Sequence, residues 1–571
     1  MKFTFSCRSL AKKTTLIGWL QCLGLAIFGP LNGCVFDTAK PITKTVDPTE
    51  FPTDVTGLDF AKKTEIVDVK SGDTIVLTAA SVKKSLGGHE VRMVAFNGSI
   101  PGPTIRVKQG SEIFIVFKNQ TGFPNALHSH GVRLDNNFDG VSGITQPPVL
   151  NGQSFTYRIR FPDPGVFWYH AHMRADYFIE MGMYGNYLVV PADKDYWKPA
   201  DREEMLTLDD FSLDLKTGKP PPYQVDGPNH TMMGRFGNLW LINGDSSYSL
   251  TVKRKERARF YITNTSGTRI FNIGLEPKNG KDTMRIKVVG SDNGRYELSW
   301  LLPHPLWNIP TEFVSPSERT VIEAYFDRPG TYNLVHKWLK TSFNDTATFV
   351  LGRITVLPDS VNSGYGDDFF KEDTCRQVKA SIDSVRQYWN MQQVPPDKQL
   401  LLTGRMGTMP SSSDTGTDNA LVQLPPHDVG TPSTKGVEWV DQMPAMNDAS
   451  NTKNMHWLIR ETFPDSGKEN MAIRWTFKKG AKVKIRIKAD DSRQNAHPMP
   501  HPIHFHGQRF LVLAVNGRNN FNMAWKDNHL IGALETVDIL LDASNPGIWM
   551  AHCHINEHSE SMMMFNFEVT E

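Results

Sequence analysis

Residues 551–563 read AHCHINEHSESMM, and this stretch near the C-terminus decides the fold. Successive side chains of a β-strand point to opposite faces. If the stretch is a strand that enters a turn, Cys553 faces one side, while His552 and His554 face the other. The turn can then return His558 to the thiolate. The two faces of one strand are therefore predicted to serve two different metal centres.

Three copies of one strand pattern organise the chain around this stretch. Alternating strand–turn–strand segments lie at 105–119, 250–264 and 475–487. Each copy later reaches a Pro-Gly step, and the three steps are Pro164-Gly165, Pro329-Gly330 and Pro546-Gly547. Helical periodicity is scarce, and short strands between Gly and Pro turns are typical of antiparallel β-sandwiches. The chain is therefore predicted to be all-β, with three consecutive sandwich domains.

The repeat also predicts the domain boundaries. The first sandwich is predicted at 60–193, the second at 194–358 and the third at 366–571, with 359–367 as the last linker. An insertion rich in Ser, Thr, Asp and Pro, at about 404–456, interrupts the third domain before its repeat. Long irregular insertions in compact domains are often lids or binding loops.

Counting from each Pro-Gly step reveals the first half of a metal site. The residues five and seven positions after the glycine are His170 and His172 in the first copy, and His552 and His554 in the third. In the middle copy neither position is a histidine, and the residue between them, His336, is predicted to be an ordinary surface or packed side chain. Metal ligands are therefore expected only in the outer copies.

A second His motif occurs in the same two copies. His128-Ser-His130-Gly131 follows the first repeat and His504-Phe-His506-Gly507 follows the third, each with an i, i+2 pair on one strand face. The middle copy has Phe271-Asn-Ile-Gly274 at this place. The four His-x-His pairs supply eight imidazoles, which suit a cluster of three metal ions, two with three ligands and one with two.

The remaining motif residues belong to the thiolate side. His501 has the opposite strand parity to the pair that follows it, so it can join Cys553 and His558. With the thioether of Met563, these residues form the ligand set of a blue-copper electron-transfer site, which is a Cys, two His and a weak axial Met.

Two simpler explanations do not account for the whole set of motifs. Chance would explain a single pair of His on a surface strand. It does not explain four spaced pairs, two of which end in Gly and one of which encloses a Cys. A structural zinc site would be tetrahedral and richer in thiolates. Imidazole-rich sites with open positions instead suit copper that binds oxygen.

The N-terminus has the features of an export signal. A basic start precedes an apolar segment at 16–28, which is too short to span a membrane comfortably. It ends in Leu31-Asn-Gly-Cys34, a run like a bacterial lipoprotein cleavage box, so 1–34 is predicted to be a signal peptide with Cys34 as a lipid anchor. Ordinary secretion is the alternative. Residues 35–59 are predicted to be a tether, and the mature protein to be periplasmic or an outer-membrane lipoprotein.

Cysteine usage and charge narrow the class of protein further. Cys7 and Cys22 leave with the signal, and Cys375 is predicted to be buried and inert, so no disulfide framework is expected unless Cys34 pairs with Cys375. Lys and Arg total 62 against 61 Asp and Glu. This balance argues against a dedicated nucleic-acid binder.

Together the motifs resemble the three-domain multicopper oxidases, the family that includes laccases and bacterial cuprous oxidases. The resemblance covers nearly all of the mature chain and implies three cupredoxin-like Greek-key sandwiches that bind four copper ions. It assigns to the type 1 copper His501, Cys553, His558 and Met563, and to the type 2 copper His128 and His504. It assigns to one type 3 copper His130, His170 and His554, and to the other His172, His506 and His552.

The resemblance also implies a reaction. Electrons from a donor enter at the type 1 site, pass through Cys553 and reach the His cluster, where dioxygen is reduced to water. Asp139 matches a family position for proton supply. A second acidic position of some relatives is Ser559 here, and Glu560 or Glu557 would replace it. The predicted catalytic residues are therefore Cys553, Asp139 and Glu560.

Two classes of electron donor fit the sequence. Phenols or aromatic amines, as in laccases, need an apolar hollow beside His501. Cuprous ions would suit thioethers, although Met also fills irregular cores. The relevant methionines are Met406, Met409, Met443, Met446 and Met455 of the insertion and Met499. A laccase-like oxidase is the first hypothesis and a cuprous oxidase the second. A copper-storage protein and a nitrite reductase fit less well, because all four His pairs are intact.

Two further predictions concern the ligands themselves. Copper is bound by neutral imidazole and thiolate, so it is predicted to be lost below about pH 5–6, under the ordinary His pKa of about 6.5. Replacing Met563 with Leu is predicted to raise the type 1 potential while the blue colour survives. An unchanged potential would indicate Met562 or Met564 instead.

Overall fold

The computed structural model describes most of the chain after the tether. The described residues are 49–279, 284–296, 309–339, 346–369, 371, 374–388, 394–407, 444–465, 467–489 and 499–571. The predicted signal peptide with Cys34, most of the tether, and Met409 and Met443 lie outside them. The described residues fold as one unit. No helix in the described part is long and apolar enough to cross a membrane.

The first sandwich consists of two sheets and one short helix. Its elements are β1 (Ile66–Val69), β2 (Thr74–Leu86), β3 (His89–Phe96), β4 (Thr104–Lys108), β5 (Glu112–Gln120), β6 (Leu127–His130), β7 (Ser154–Arg160), β8 (Gly165–Ala171), α1 (Ala175–Phe178) and β9 (Tyr184–Val190). The sheet orders are β1-β4-β9-β8-β6 and β3-β2-β5-β7. Alternate apolar residues of both sheets, such as Ile105 and Ile115, meet in one core.

The middle sandwich repeats this plan without a helix among its described residues. Its strands are β10 (Arg202–Phe211), β11 (Leu239–Ile242), β12 (Tyr248–Arg254), β13 (Arg257–Asn264), β14 (Phe271–Pro277), β15 (Lys287–Ser291), β16 (Gly294–Arg295), β17 (Thr311–Val314), β18 (Arg319–Tyr325), β19 (Gly330–Leu339) and β20 (Thr346–Ser360). The sheet orders are β11-β10-β13-β18-β15-β16 and β12-β20-β19-β14-β17. A separate core, which includes Ile262 and Ile273, lies between the sheets.

The third sandwich completes the chain. Its elements are α2 (Arg376–Asp383), β21 (Lys398–Met406), α3 (Pro444–Asp448), β22 (Met455–Phe463), β23 (Arg474–Lys478), β24 (Ala481–Ala489), β25 (His501–Phe505), β26 (Arg509–Val515), β27 (Arg518–Asn519), β28 (Asn528–Ile531), β29 (Thr536–Ala543), β30 (Gly547–Cys553), α4 (Asn556–Glu560) and β31 (Met564–Thr570). The sheet orders are β22-β21-β24-β29-β26-β27 and β23-β31-β30-β25-β28. β21 and β22 are antiparallel partners with Met406 opposite Met455, so both ends of the predicted insertion are strand.

The repeat found in the sequence crosses from one sheet to the other in every sandwich. The paired segments β4/β5, β12/β13 and β23/β24 do not form hairpins, because their members lie in opposite sheets. β4, β12 and β23 instead pair in parallel with β9, β20 and β31. The expectation of antiparallel sheets is therefore wrong, and the sheets are mixed. Alternation in a sequence reveals which face a residue occupies, but it does not reveal which strand lies alongside.

The Pro-Gly steps mark the start of the equivalent strands β8, β19 and β30. Gly165, Gly330 and Gly547 have φ values of 137°, 141° and 140°. L-residues rarely adopt these angles, which explains the glycine in every copy. Each of these strands pairs antiparallel with the strand that carries the second motif, β6, β14 or β25. The fold thus places the two His motifs of each outer sandwich side by side.

Candidate metal centres

Antiparallel register brings the His motifs of each outer sandwich onto one sheet face. In the first sandwich, His128 on β6 lies opposite His170 on β8. In the third, His504 on β25 lies opposite His552 on β30, and Ile503 lies opposite Cys553. Directly opposed residues point to the same face. The strand parity read from the sequence therefore separates the thiolate from its flanking His, as predicted.

The two His faces meet across the boundary between the first and third sandwiches. Ring centroids of His130 and His504 are 3.7 Å apart, and those of His128 and His506 are 4.1 Å apart. Three sets of potential ligand atoms lie within 4.8 Å of one another, and these are His128/His504/His506, His128/His130/His170 and His172/His506/His552. All eight rings are buried except the partly buried His172. The structure therefore brings the four predicted pairs into one cluster.

Hydrogen bonds to backbone carbonyls fix the tautomer of several cluster rings. Nδ1 of His128 donates to the carbonyl of Asp139 at 2.7 Å, and Nδ1 of His504 donates to the carbonyl of Asp527 at 2.8 Å. A ring that donates from Nδ1 carries its lone pair on Nε2. These bare Nε2 atoms are buried and without a hydrogen-bond partner in the described part of the chain, as are those of His170, His172 and His554.

His506 and His552 face each other through their Nε2 atoms, which are 3.0 Å apart. His130 has the opposite arrangement, because its Nε2 contacts the Asp527 carboxylate at 3.0 Å and its Nδ1 is bare among the described residues. Buried lone pairs without partners are costly unless a metal ion binds them. Eight converging neutral imidazoles are therefore a donor set that fits copper.

Burial keeps these imidazoles neutral. It lowers the pKa of His506 and His552 well below the ordinary value, and repulsion between neighbouring rings lowers it further. Burial likewise lowers the pKa of His172 to about 3, with His128 as the next contribution. Neutral imidazole is the form that binds metal. Burial thus favours the metal-binding form of these three rings.

The predicted proton donor Asp139 lies against the cluster. It follows a short 3-10 turn, Asn136–Phe138, that Asp135 caps through Asn137. Its Oδ2 accepts a hydrogen bond from Nδ1 of His506 at 2.9 Å. Its Oδ1 is buried and has no hydrogen-bond partner among the described residues. Asp139 therefore has one oxygen that positions a ligand and one that lies 3.4 Å from Nδ1 of His128.

A second buried carboxylate, Asp527, was missed by the sequence analysis. It contacts His130 and His504 and forms an ion pair with Arg319 of the middle sandwich. Burial alone would raise the pKa of Asp527, but the Arg319 charge and the hydrogen bonds from Arg319 and His504 together outweigh burial, so the net shift is downward. Asp527 belongs to no His motif. Its only signal in the sequence is its place directly before β28, the partner of β25.

The predicted second proton donor, Glu560, does not contact a cluster ring. It accepts a hydrogen bond from the Ala175 N–H at 2.8 Å, and burial together with Asp176 raises its pKa to about 7. Glu557 faces Arg235 at 3.5 Å, and burial raises its pKa to about 8. Ser559, in contrast, places its Oγ 3.2 Å from Nδ1 of His552. The residue that reaches the cluster is therefore the serine.

The thiolate side forms a separate, mononuclear group. Cys553 Sγ lies 3.5 Å from Nδ1 of His501 and 3.8 Å from Nδ1 of His558. Met563 is fully buried in the same apolar core as Cys553, whereas Met562 is half exposed. Burial raises the pKa of the Cys553 thiol. A bound cation would reverse this effect and favour the thiolate.

A loop of the middle sandwich, Asn229–Arg235, covers the mononuclear group. Trp457 packs 4.3 Å from the His558 ring and donates from Nε1 to the Thr231 carbonyl at 2.7 Å. The Met232 N–H donates to Ser450 Oγ at 2.9 Å, close to α3. His558 itself is fully buried. The middle sandwich therefore contributes to this site although it has no ligands of its own.

The middle sandwich has no His cluster at the equivalent place among its described residues. His336 is fully buried there and its ring lies 5.1 Å from Trp240. Its Nδ1 accepts a hydrogen bond from the Asn272 N–H at 3.0 Å. This is the packed histidine that the sequence predicts.

Comparison with known proteins agrees with the fold and the metal sites. Two family models described as multicopper oxidase match residues 67–194 and 441–571. The chain is 26% identical over 530 residues to multicopper oxidase MmcO of Mycobacterium tuberculosis, covering 86% of each chain. It is 25% identical over 526 residues to Laccase-7 of Arabidopsis thaliana, covering 81% of this chain and 86% of that one.

Solved structures show the same fold. A multi-copper oxidase from Pseudomonas thermotolerans has a TM-score of 0.60 at 22% identity, covering 88% of this chain and all of that one. A metallo-oxidase from Campylobacter jejuni has a TM-score of 0.62 at 19% identity, covering 90% and 98%. The family models and the curated relatives identify a copper oxidoreductase that reduces dioxygen. The chain belongs to the multicopper oxidase family.

Proposed function

We propose that the protein is a laccase-like oxidase, which takes single electrons from small phenols or aromatic amines and uses four of them to reduce dioxygen to water. The observation that carries the choice of donor is an apolar hollow between the middle and third sandwiches. It is shallow and partly open to solvent, with a cavity volume of about 10 Å³. Its walls include Phe236, Ile270 and Leu530. They also include Pro500 and Pro502, the two chain neighbours of His501.

The proposed ligand assignment is the one carried over from the family. Two of its sets, His172/His506/His552 and His501/Cys553/His558, coincide with groups whose ligand atoms lie within 4.8 Å of one another. Bound copper would supply the one-electron redox chemistry and the site for dioxygen. The chain holds the rings by their second nitrogen, as in other proteins where outer hydrogen bonds orient metal ligands.

The order of residues supports the direction of electron transfer. Pro500 and Pro502 are bonded to His501, which contacts Cys553 Sγ. Cys553 is bonded in turn to His552 and His554, whose rings lie in the cluster. An electron that enters beside the hollow therefore reaches the cluster through one side-chain contact and a few covalent bonds.

The proton supply is proposed to begin at Asp139. Oxygen reduction consumes protons, and a carboxyl group within hydrogen-bond reach can hold one for transfer. Oδ1 of Asp139 supports this role, because it accepts no hydrogen bond from the described residues and lies 3.4 Å from Nδ1 of His128. Glu560 retains the proposed role of a more distant acid, because its raised pKa of about 7 makes it a proton reservoir near neutral pH. Ser559 lies between Glu560 and His558 in the chain and contacts His552.

A cuprous ion is the second candidate donor. The observation that favours it is Met499, whose side chain lines the same hollow and offers a soft thioether. We also propose export of the protein, with Cys34 as a lipid anchor, which would bring either donor to the enzyme outside the cytoplasm.

Oxygen uptake by the copper-loaded protein tests the proposal. We expect uptake with a simple phenol, and a lower kcat/KM for the phenol in Leu530→Trp, which fills the hollow. Ile548→Trp is the control, because Ile548 is an exposed residue of the same sandwich outside the hollow. Uptake with Cu(I) but not with the phenol would replace the proposal by a cuprous oxidase. No uptake with either donor would indicate a copper-storage protein.

A further inference from the structure

We propose that Arg319, a residue of the ligand-free middle sandwich, positions the rings of the His cluster through Asp527. The inference rests on the proposed copper binding by the His cluster, but not on the identity of the donor. Arg319 is fully buried and begins β18, which pairs with β13 and β15 inside the middle sandwich. Arginine is not a metal ligand, and position 319 lies outside every metal-binding motif of the sequence.

The Arg319 guanidinium forms a bidentate ion pair with the Asp527 carboxylate. Nη1 donates to Oδ1 at 2.8 Å, and Nη2 donates to Oδ2. Both side chains are fully buried. Two parallel hydrogen bonds of this kind fix the plane of the carboxylate as well as its position. Asp527 Oδ1 is therefore held in one place, which is 3.0 Å from Nε2 of His130.

This hydrogen bond determines which nitrogen of His130 is free for metal. The carboxylate holds the ring proton on Nε2, so the lone pair is on Nδ1, the reverse of His128 and His504. The Asp527 backbone carbonyl fixes His504 at the same time. One residue therefore orients a ligand from each outer sandwich, and Arg319 holds that residue.

Arg319 also contacts all three sandwiches. Its Nε donates to the Val166 carbonyl of the first sandwich at 3.3 Å, and its Nη2 contacts Asn293 of its own sandwich at 3.2 Å. Asp527 belongs to the third. The same guanidinium thus links the parts of the chain that must stay in register for the cluster to form.

The glycine of the first His motif is an independent sign that this ion pair is built into the site. A Cβ at Gly131 would lie 2.5 Å from Arg319 Nη2 and 2.5 Å from Asp527 Oδ2. The equivalent Gly507 of the third sandwich meets the Trp549 ring instead. A side chain at position 131 would therefore clash with the ion pair, and one at position 507 would clash with an aromatic ring. Both glycines also have a positive φ, 80° and 61°, which L-residues rarely adopt.

Neighbouring charges make the pair difficult to replace. Asp292 accepts from the Arg319 N–H at 2.8 Å and contacts Lys526 at 3.1 Å, and Lys526 also contacts Glu318. Removing one partner of a buried ion pair leaves an uncompensated charge and is strongly destabilising. A test must therefore keep a positive charge at position 319.

The test is Arg319→Lys in the full-length, copper-loaded protein. Lysine keeps the charge but cannot make the two parallel hydrogen bonds. We expect a lower copper content per chain and an altered type 2 EPR signal, because losing an outer partner of a ligand weakens metal affinity about 10–100-fold. The blue absorption of the type 1 site should be unchanged. Normal copper content with an unaltered type 2 signal would overturn the proposal.

Arg259→Lys is the matched control. Arg259 is also buried in the middle sandwich and forms an ion pair with Glu323 at 2.7 Å, but neither residue contacts a His of the cluster. It should lose stability without a change in the EPR signals. If Arg319→Lys does not fold, Asp527→Glu takes its place, because it keeps the negative charge and displaces the carboxylate by one methylene, and an unaltered type 2 signal in that variant would equally overturn the proposal. A wild-type protein that binds no copper at the cluster would instead contradict the proposed function.

Discussion

The cluster and the mononuclear site differ in what surrounds them. The cluster lies between two sandwiches, and carboxylates of Asp139 and Asp527 contact its rings. The mononuclear site lies inside the third sandwich, among Trp457, Met563 and other apolar residues. Burial alone lowers the pKa of His501 to about 3, whereas Asp527 partly offsets the effect of burial at His504. Acids thus contact the cluster, where the proposed oxygen chemistry would consume protons, and are absent from the described contacts of the site proposed to receive electrons.

The largest expected effect comes from cutting the connection between the two sites. In Cys553→Ser the blue colour should disappear. Losing a hydrogen-bond partner of a metal ligand lowers activity up to about 100-fold, and losing the ligand itself should lower the rate of donor oxidation by more than that. The cluster rings keep their own contacts, so the EPR signal of the type 2 copper should persist. Spectra and oxygen uptake measure both effects. A blue or fully active variant would show that the thiolate is not a ligand.

Asp139→Asn tests whether a carboxylate beside the cluster supplies protons to the reaction. Asparagine preserves shape but cannot hold the proton, so kcat should fall about 100-fold, the low end of general acid catalysis, while the type 1 spectrum stays unchanged. The pH profile of kcat should change as well. Asp163→Asn is the control, because Asp163 is a buried acid of the same sandwich that pairs with Arg133 at 2.7 Å. Equal losses in both variants would contradict a proton role.

Acid should destabilise the copper-free protein through the rings of both sites. Burial lowers the pKa of rings such as His172, His501 and His552 in the folded state, so below about pH 6.5 the unfolded chain binds protons that the folded chain does not. Each such ring then removes about 1.4 kcal/mol of stability per pH unit. Thermal unfolding at pH 7 and pH 5 measures this, and a flat profile would contradict the lowered pKa values.

The same shift revises the predicted acid limit of copper binding. The range of about pH 5–6 followed from the ordinary His pKa of about 6.5. Burial lowers the pKa of His172 and of His501 to about 3, so protons compete with copper less than that value implies. The folded, copper-loaded protein is expected to keep its metal below pH 5. Copper content after dialysis at pH 4.5 measures this.

Met563→Leu alters the mononuclear site and leaves the residues of the cluster unchanged. The type 1 potential should rise and the blue colour should survive, because the axial thioether is a weak ligand. Stability should change by less than about 1.5 kcal/mol, since Leu and Met have similar volumes. Met562→Leu is the control, because Met562 is half exposed. A shift in the control rather than in Met563→Leu would reassign the ligand.

The smallest expected effect concerns the cover over the mononuclear site. Ser450→Ala removes the acceptor of the Met232 N–H, which costs about 1–3 kcal/mol of local stability. Amide hydrogen exchange in 229–235 should become faster, and bulky aromatic donors should react a few-fold faster. Ser384→Ala, in an exposed turn, is the control. Unchanged exchange in 229–235 would show that this hydrogen bond does not hold the cover.

Strand parity explains why most of the cluster could be predicted from the sequence. A period of two residues is local, so His552, Cys553 and His554 separate onto two faces wherever the strand lies. Asp527 and Arg319 could not be found in this way, because their contact joins residues 208 positions apart in different sandwiches. The mixed sheets escaped prediction for the same reason. Partner strands are chosen by packing, whereas alternation reports only the face.

The position of Glu560 shows a second limit of local patterns. It is one residue from Ser559, yet the helix α4 turns its side chain towards Ala175, while Ser559 meets His552. Neighbouring residues of a helix lie about 100° apart around its axis, so a shift of one position changes the surroundings completely. Proximity in sequence therefore does not predict which residue of a helix contacts the cluster.

Through the loop 229–235, the middle sandwich is needed for the integrity of a metal site in the third sandwich. Excising 202–360 to leave two joined sandwiches would strip Trp457 and His558 of their cover and expose apolar surface to water. The same deletion would remove Arg319. A shortened chain would therefore have to rebuild both centres, which makes the ligand-free sandwich indispensable to any miniaturised version of this enzyme.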